Sequence, residues 1–154
     1  MVATRHVLLD TSVLYPASDS PALAVSERDR QRARDIVASI TDGTLPRARL
    51  LTSVQQEVFD HLHNEAGHTA VREMLEFLRQ NPSVEFHTPS QDVVVAGRQI
   101  VYQRPDFEFA DGQIAAYLNQ LDQEHCVVYT VDSKFDNFPG ITALPTPYNP
   151  YDDH

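Results

Sequence analysis

Short apolar runs alternate with helical patterns along this chain, and that order restricts its fold more than any other feature. The run His6–Leu9 is apolar after its histidine and stops at Asp10-Thr11-Ser12, as a buried parallel strand does. Further candidate strands lie at 50–52, 84–86, Cys126–Thr130 and, as a short last one, 141–144. Strands that alternate with helices predict an α/β fold with a central parallel sheet.

Helix starts are marked by polar residues at capping spacing. Ser26 with Asp29 predicts a helix of about 15 residues that ends at Gly43. Ser53 with Gln56 gives a second signature of this kind, at the start of a helix that Gly67 interrupts. Other helical patterns lie at 71–78, 93–101 and 114–121.

Composition bounds the possible functions. The chain has 154 residues, enough for one domain, and its 42% hydrophobic residues are enough for a core. A net charge of -10 disfavours proteins that coat nucleic acid through a broad basic surface. One cysteine, Cys126, excludes an internal disulfide framework and suits a reducing compartment. We find no apolar stretch of membrane-spanning length and no signal-peptide core, and therefore expect a cytoplasmic protein without a membrane partner.

Four carboxylates occupy positions that a parallel sheet brings to one edge. Asp10 and Asp132 follow candidate strands, while Glu57 and Asp111 lie near helix starts. Ligands of open α/β sheets bind outside the carboxyl ends of the strands. Carboxylates beside a core are costly unless they are compensated, and Mg²⁺ or Mn²⁺ with hard oxygen ligands is the simplest compensation.

Each acid alone has an ordinary structural explanation. Asp10 with its two hydroxyl neighbours fits a helix cap, and Asp111 fits a helix N-terminus. Glu57 fits a solvated first turn, and Asp132 fits a turn. It is their joint placement that favours a shared divalent-metal site.

The motifs together resemble the PIN-domain family. They are Asp10-Thr11-Ser12 after an apolar strand, Thr52-Ser53 leading to Glu57, Ala110-Asp111 running into a helix, and Thr130-Val131-Asp132. They occur in the family's order and extend from residue 6 to about 144. The resemblance implies a three-layer α/β/α sandwich with a central, mostly parallel five-stranded sheet over residues 1–144, followed by a proline-rich tail at 145–154.

The resemblance also implies a ribonuclease that uses Mg²⁺ or Mn²⁺ in a two-metal site. Asp10, Glu57, Asp111 and Asp132 match the family's acids, with Thr11, Ser12 and Thr130 as supporting residues. Asp136 either reaches the metals or only flanks them. Many members are VapC-like toxins of toxin–antitoxin pairs, which implies an RNA substrate, a small antitoxin protein and a homodimer.

Other functions stay open at this point. They are a housekeeping RNA-processing PIN nuclease and a non-catalytic PIN-like interaction module, although four retained acids favour an enzyme. A phosphohydrolase of the haloacid-dehalogenase type is disfavoured because Ser12 stands where that chemistry needs a second aspartate. Three histidines between 61 and 68 lack the spacing and thiolates of a zinc motif.

Several arginines are candidates for contact with RNA phosphates. They are Arg28 and Arg32, which share one helix face, and Arg98 and Arg104, which precede Asp111. Acidic residues are interspersed with the first group, so a solvated helix surface is the alternative interpretation.

Overall fold

A computed structural model describes residues 6–17, 26–120, 126–130, 135 and 142–145. Over these residues the chain forms five strands and six helices. In chain order they are β1 (His6–Leu9), α1 (Thr11–Ala17), α2 (Glu27–Thr41), β2 (Ala48–Leu51), α3 (Thr52–Ala66), α4 (His68–Gln80), β3 (Val84–His87), α5 (Gln91–Gln103), α6 (Phe109–Asn119), β4 (Cys126–Thr130) and β5 (Thr142–Pro145).

The five strands form one parallel sheet in the order β3-β2-β1-β4-β5. Strand β1 lies at its centre, and Leu8, Leu9 and Val128 of β1 and β4 are fully buried. Such central strands are apolar throughout because helices cover both faces of a parallel sheet. Helix α1 packs on both α2 and α3, α3 also contacts α4 and α6, and α5 packs on α6. The predicted α/β/α sandwich with a parallel sheet is confirmed.

Helix α2 forms as its sequence predicts. The Asp29 amide donates to Ser26 Oγ at 3.1 Å, which satisfies one of the unpaired N–H groups at the helix start. Ala33, Ile36 and Ile40 are buried along one face. The helix ends at Thr41, and Gly43 adopts a positive φ of 86° just beyond it.

Two local expectations are corrected at the β2–α3 connection. Strand β2 begins at Ala48 and ends at Leu51, one residue before the predicted end. Helix α3 starts at once, with Leu51 as its cap residue, so that Ser53 lies inside the first turn and caps nothing. The Ser53 hydroxyl is buried without a hydrogen-bond partner among the described residues. The strand passes directly into the helix and leaves no residue for a polar cap.

The end of the described chain differs slightly from the prediction. Strand β5 spans Thr142–Pro145, one residue later than the predicted 141–144. Residues 146–154, most of the predicted tail, lie outside the described residues. None of the helices in the described parts of the chain combines the length and apolar character needed to cross a bilayer.

Helices α5 and α6 approach very closely at two glycines. A Cβ atom added to Gly112 would lie 2.6 Å from Val101 Cγ2 and would also collide with the Gly97 carbonyl oxygen. A Cβ on Gly97 would lie 3.0 Å from the Gln113 amide nitrogen. Because glycine has no Cβ atom, these two positions allow the helices to approach closely. The approach sets the position of the α6 N-terminus, which contains Asp111.

Candidate active site

Asp10 lies where the central strand passes into α1. Its amide donates to the Tyr129 carbonyl at 3.0 Å, and its own carbonyl accepts from the Val13 amide at 3.1 Å. Its side chain is almost completely buried, with 3% of the residue exposed. Both neighbouring elements therefore fix the backbone of Asp10, and its carboxylate stands at the carboxyl edge of the sheet.

Two hydroxyls hold the Asp10 carboxylate in place. Ser12 Oγ donates to Asp10 Oδ2 at 2.7 Å, and Thr130 Oγ1 donates to the same oxygen at 3.0 Å. The two hydroxyl oxygens are 2.9 Å apart. Thr130 is fully buried at the end of β4. Hydrogen bonds to a carboxylate favour its charged form and restrict its rotamer.

Asp111 lies in the first turn of α6, with 4% of the residue exposed. Its Oδ2 accepts from the Glu108 amide at 2.8 Å, as in a capping box. Asp111 thus has the structural role expected of an acid at a helix N-terminus. It also faces the same region as the other acids, because its charge acts on Glu57.

Glu57 is the acid whose ionisation is most affected. Burial, above all, raises its pKa to about 7 from 4.5. The negative charges of Glu108, Asp10 and Asp111 raise the pKa of Glu57 further. Three predicted site acids and Glu108 therefore share one electrostatic environment.

Glu108 was not among the residues that the sequence pointed to. It is exposed and stands at the N-cap of α6, three residues before Asp111. Three residues is the spacing of a capping box, and this spacing is the signal in the sequence that could have identified Glu108. Glu108 adds negative charge at the mouth of the site.

Thr11 places a buried hydroxyl next to these acids. Its Oγ1 has no hydrogen-bond partner among the described residues, and the residue is 8% exposed. The Thr11 side chain is near enough to Glu57 to lower the pKa of that carboxyl, by less than burial raises it. A buried polar atom without a partner usually indicates a position for water, an ion or a ligand.

Asp132 and Asp136 lie outside the described residues, so their predicted roles stay predictions. Within the part of the chain that is described, no three potential ligand side chains stand close enough to hold a metal ion by themselves. Mg²⁺ commonly binds through one or two carboxylates and keeps several waters. The site around Asp10, Glu57 and Asp111 fits such a hydrated ion. It offers only oxygen donors, it has excess negative charge, and the Thr11 hydroxyl lies beside it.

The four predicted RNA-contacting arginines lie on two helices. Arg28 and Arg32 are in α2, Arg98 is in α5, and Arg104 is the C-cap residue of α5. The Arg104 guanidinium lies 5.1 Å from the centre of the Phe107 ring, in cation–π geometry. Phe107 lines a pocket together with Glu57. Through its contact with Phe107, Arg104 therefore lies near the pocket that Glu57 lines.

The raised pKa predicts how Glu57 affects stability. Because its carboxyl titrates near 7 when folded and near 4.5 when unfolded, the metal-free protein should lose stability as pH rises through this window. Glu57→Gln removes the charge. We compare the free energy of unfolding of the Glu57→Gln protein with that of the natural protein. The difference in favour of the variant should grow from near zero at about pH 4 to about 2 kcal/mol at about pH 8, a value that allows for the partial solvent access of Glu57.

Urea unfolding in a chelating buffer at several pH values measures this difference. Glu73→Gln, at an exposed position on α4, serves as the control. A Glu57→Gln difference that stays constant over the whole range would contradict the proposed environment of Glu57.

We compared the chain with known proteins by sequence and by fold. No family model matches the sequence, and no curated protein matches it. VapC20 of Mycobacterium tuberculosis, a sarcin-ricin loop cleaving toxin, matches with a TM-score of 0.65 and 18% identity, over 84% of this chain and 92% of that one. A toxin–antitoxin complex from Klebsiella pneumoniae matches with a TM-score of 0.58 and 14% identity, over 88% and 95%. The chain therefore has the PIN-like fold of VapC-type toxins.

Proposed function

We propose that this protein is a divalent-metal-dependent endoribonuclease of the VapC-like toxin type. The observation that supports it best is the common environment of Asp10, Glu57 and Asp111, in which burial, and then the charges of Glu108, Asp10 and Asp111, raise the pKa of Glu57. Like-charged groups held together in this way are usual at functional sites. The described fold adds support, because the two similar structures named above are of toxin systems.

Each residue has a task that its contacts support. Ser12 and Thr130 orient the Asp10 carboxylate through Oδ2. The Glu108 amide fixes Asp111 at the start of α6. Glu57, with a pKa of about 7, exchanges its proton near neutral pH. Asp10, Glu57 and Asp111 are proposed metal ligands, and Asp132 is proposed as a fourth from its sequence motif alone.

Mg²⁺ or Mn²⁺, when bound, would neutralise the phosphodiester's charge and lower the pKa of a bound water. The protein's contribution is a set of ionised carboxylates at one edge of the sheet. Because a proton on Glu57 competes with the cation, metal affinity should fall as pH decreases below about 7.

The proposed partners follow from the toxin assignment. They are a small antitoxin protein, an RNA substrate and a second copy of the chain, with activity in the cytoplasm. The antitoxin is supported by the Klebsiella structure, which is a toxin–antitoxin complex. A housekeeping RNA-processing nuclease is the alternative, and growth on induction of the gene separates the two.

The test combines a cell experiment with a purified protein. Inducing this gene without its neighbouring genes should stop growth, and the purified protein should cleave single-stranded or structured RNA with Mg²⁺ or Mn²⁺ but not in excess chelator. Asp111→Asn should remove both effects, because it removes one of the two buried acids.

Three results separate the possibilities. Cleavage in chelator would refute the metal mechanism. Cleavage without harm to cells would favour the housekeeping nuclease. No cleavage of any RNA under metal-replete conditions would leave only the interaction module.

A further inference from the structure

A pocket of about 600 Å³ opens beside Glu57, between α3 and the start of α6. This volume lies within the range of about 300–1,000 Å³ that is usual for small-molecule sites in proteins. Glu57 and Glu108 line it, so it is continuous with the acidic site. Any group bound there would lie next to the proposed reaction centre.

One wall of the pocket is a row of hydrogen-bonding side chains. Gln56, Asp60 and Asn64 follow each other at intervals of four residues on α3, which places them on one helix face. All three are exposed and line the pocket. Amide and carboxylate groups in such a row offer both donors and acceptors to a planar polar ligand.

The facing wall is apolar and aromatic. Phe109, the first residue of α6, is 66% exposed although it lies two residues from a buried site acid. Val101 and Phe107 line the pocket with it. Phe107 packs on the buried Phe135 ring with centroids 5.3 Å apart, so this wall rests on the core. The phenyl ring of Phe109, exposed beside this apolar surface, is available for stacking against another ring.

The charge of the pocket restricts what it can bind. Three carboxyl groups line it, those of Glu57, Asp60 and Glu108, together with the His61 imidazole. A phosphate would be repelled there. An amino group on an aromatic ring would be attracted, as in the acceptance of the cytosine N4 amino group by acidic side chains.

Resting on the ribonuclease function proposed above, we propose that this pocket binds one unpaired nucleobase of the RNA. The base stacks on Phe109, and its exocyclic amino group donates to Asp60. RNA-binding proteins commonly recognise unpaired bases by aromatic stacking together with hydrogen bonds to their edges. The site therefore selects cytosine, adenine or guanine over uracil next to the cleaved bond.

Binding of short single-stranded homopolymers of cytidine, adenosine and uridine tests this assignment. The inactive Asp10→Asn protein is used in Mg²⁺, so that binding is measured without cleavage. Adding Phe109→Ala should weaken binding of the cytidine polymer about tenfold, whereas Phe109→Tyr should retain it. Phe86→Ala in β3, which also removes an exposed ring but lies outside the pocket, should have no effect.

Asp60→Ala tests the selection of the base. The natural side chain should favour the cytidine and adenosine polymers over the uridine polymer by about tenfold, and the variant should lose that preference. The ratio of affinities is the readout, because removal of a negative charge also strengthens binding of every polymer through the phosphates.

The outcomes separate this proposal from the ribonuclease proposal. Cleavage of RNA by the natural protein, with no effect of Phe109→Ala on homopolymer binding, would overturn the base pocket alone. An equal loss in the Phe109→Ala and Phe86→Ala proteins would also overturn it. A base preference that depends on Phe109 and Asp60, in a protein that cleaves no RNA, would support the pocket and refute the nuclease.

Discussion

Replacing Asp10 by Asn is expected to lower RNA cleavage by about 100-fold or more, equivalent to about 2.7 kcal/mol of transition-state stabilisation. Asn has almost the same shape and retains one oxygen that accepts the Ser12 and Thr130 hydroxyls. It loses the negative charge and presents an amide NH₂ in place of the second oxygen. The chain should therefore fold normally and lack one proposed metal ligand.

Cleavage rates at several Mg²⁺ concentrations, with circular dichroism to verify folding, measure this effect. Asp42→Asn is the matched control. Asp42 caps the C-terminal end of α2, on the side of the sheet where strand β2 begins, and it is exposed. Undiminished cleavage by the Asp10→Asn protein would refute the carboxylate mechanism, as would equal losses in both variants.

Gly112→Ala is expected to lower the free energy of unfolding by about 2 kcal/mol. Ala favours a helix over Gly by about 1 kcal/mol, but here its Cβ would overlap Val101 and the Gly97 carbonyl. Helix α5 would have to move away from α6. Asp111 precedes the substituted residue, so cleavage should fall as well, even at temperatures where the variant is folded.

Thermal unfolding should show a decrease in Tm of about 4–8 °C, given about 2–4 °C per kcal/mol for a chain of this size. Gly97→Ala provides a graded comparison, because its Cβ would meet its nearest neighbour at 3.0 Å and a small shift relieves the contact. It should destabilise the protein less than Gly112→Ala. A variant Gly112→Ala with unchanged or higher Tm would show that α5 and α6 separate at little cost.

The sequence predicted those parts of the fold whose signals are local. Strand β1 has its expected bounds, and helix α2 has its expected start and ends two residues before Gly43, because an apolar run and a Ser26 cap each depend on nearby residues only. Asp10 was recognisable for the same reason, since it directly follows an apolar strand. The parallel sheet followed from the alternation of such elements.

Other parts depend on contacts between distant segments. Helix α1 was not expected, because it has only seven residues and contains Pro16, which ordinarily interrupts a helix. The Ser53 cap was wrong, because a capping pattern does not reveal that a strand runs directly into the helix. The raised pKa of Glu57 depends on α3, α6 and the β1–α1 junction together, and spacing alone does not show it.

Sequence patterns also do not show the pocket that we propose to bind a nucleobase. Phe109 had no distinguishing neighbour in the sequence, and its exposure beside α3 is visible only in the folded chain. Gln56 was interpreted as part of a cap, whereas it belongs to the polar row on α3.

The direct passage of β2 into α3 has a consequence for how this protein can change during evolution. Leu51 ends the strand and Thr52 begins the helix, so insertion of even one residue there would rotate Glu57 away by about 100°. At the opposite edge, six residues separate α2 from β2 and include Gly43. Length variation among descendants of this chain should therefore accumulate in that loop, while the junctions that position the acids keep a constant length.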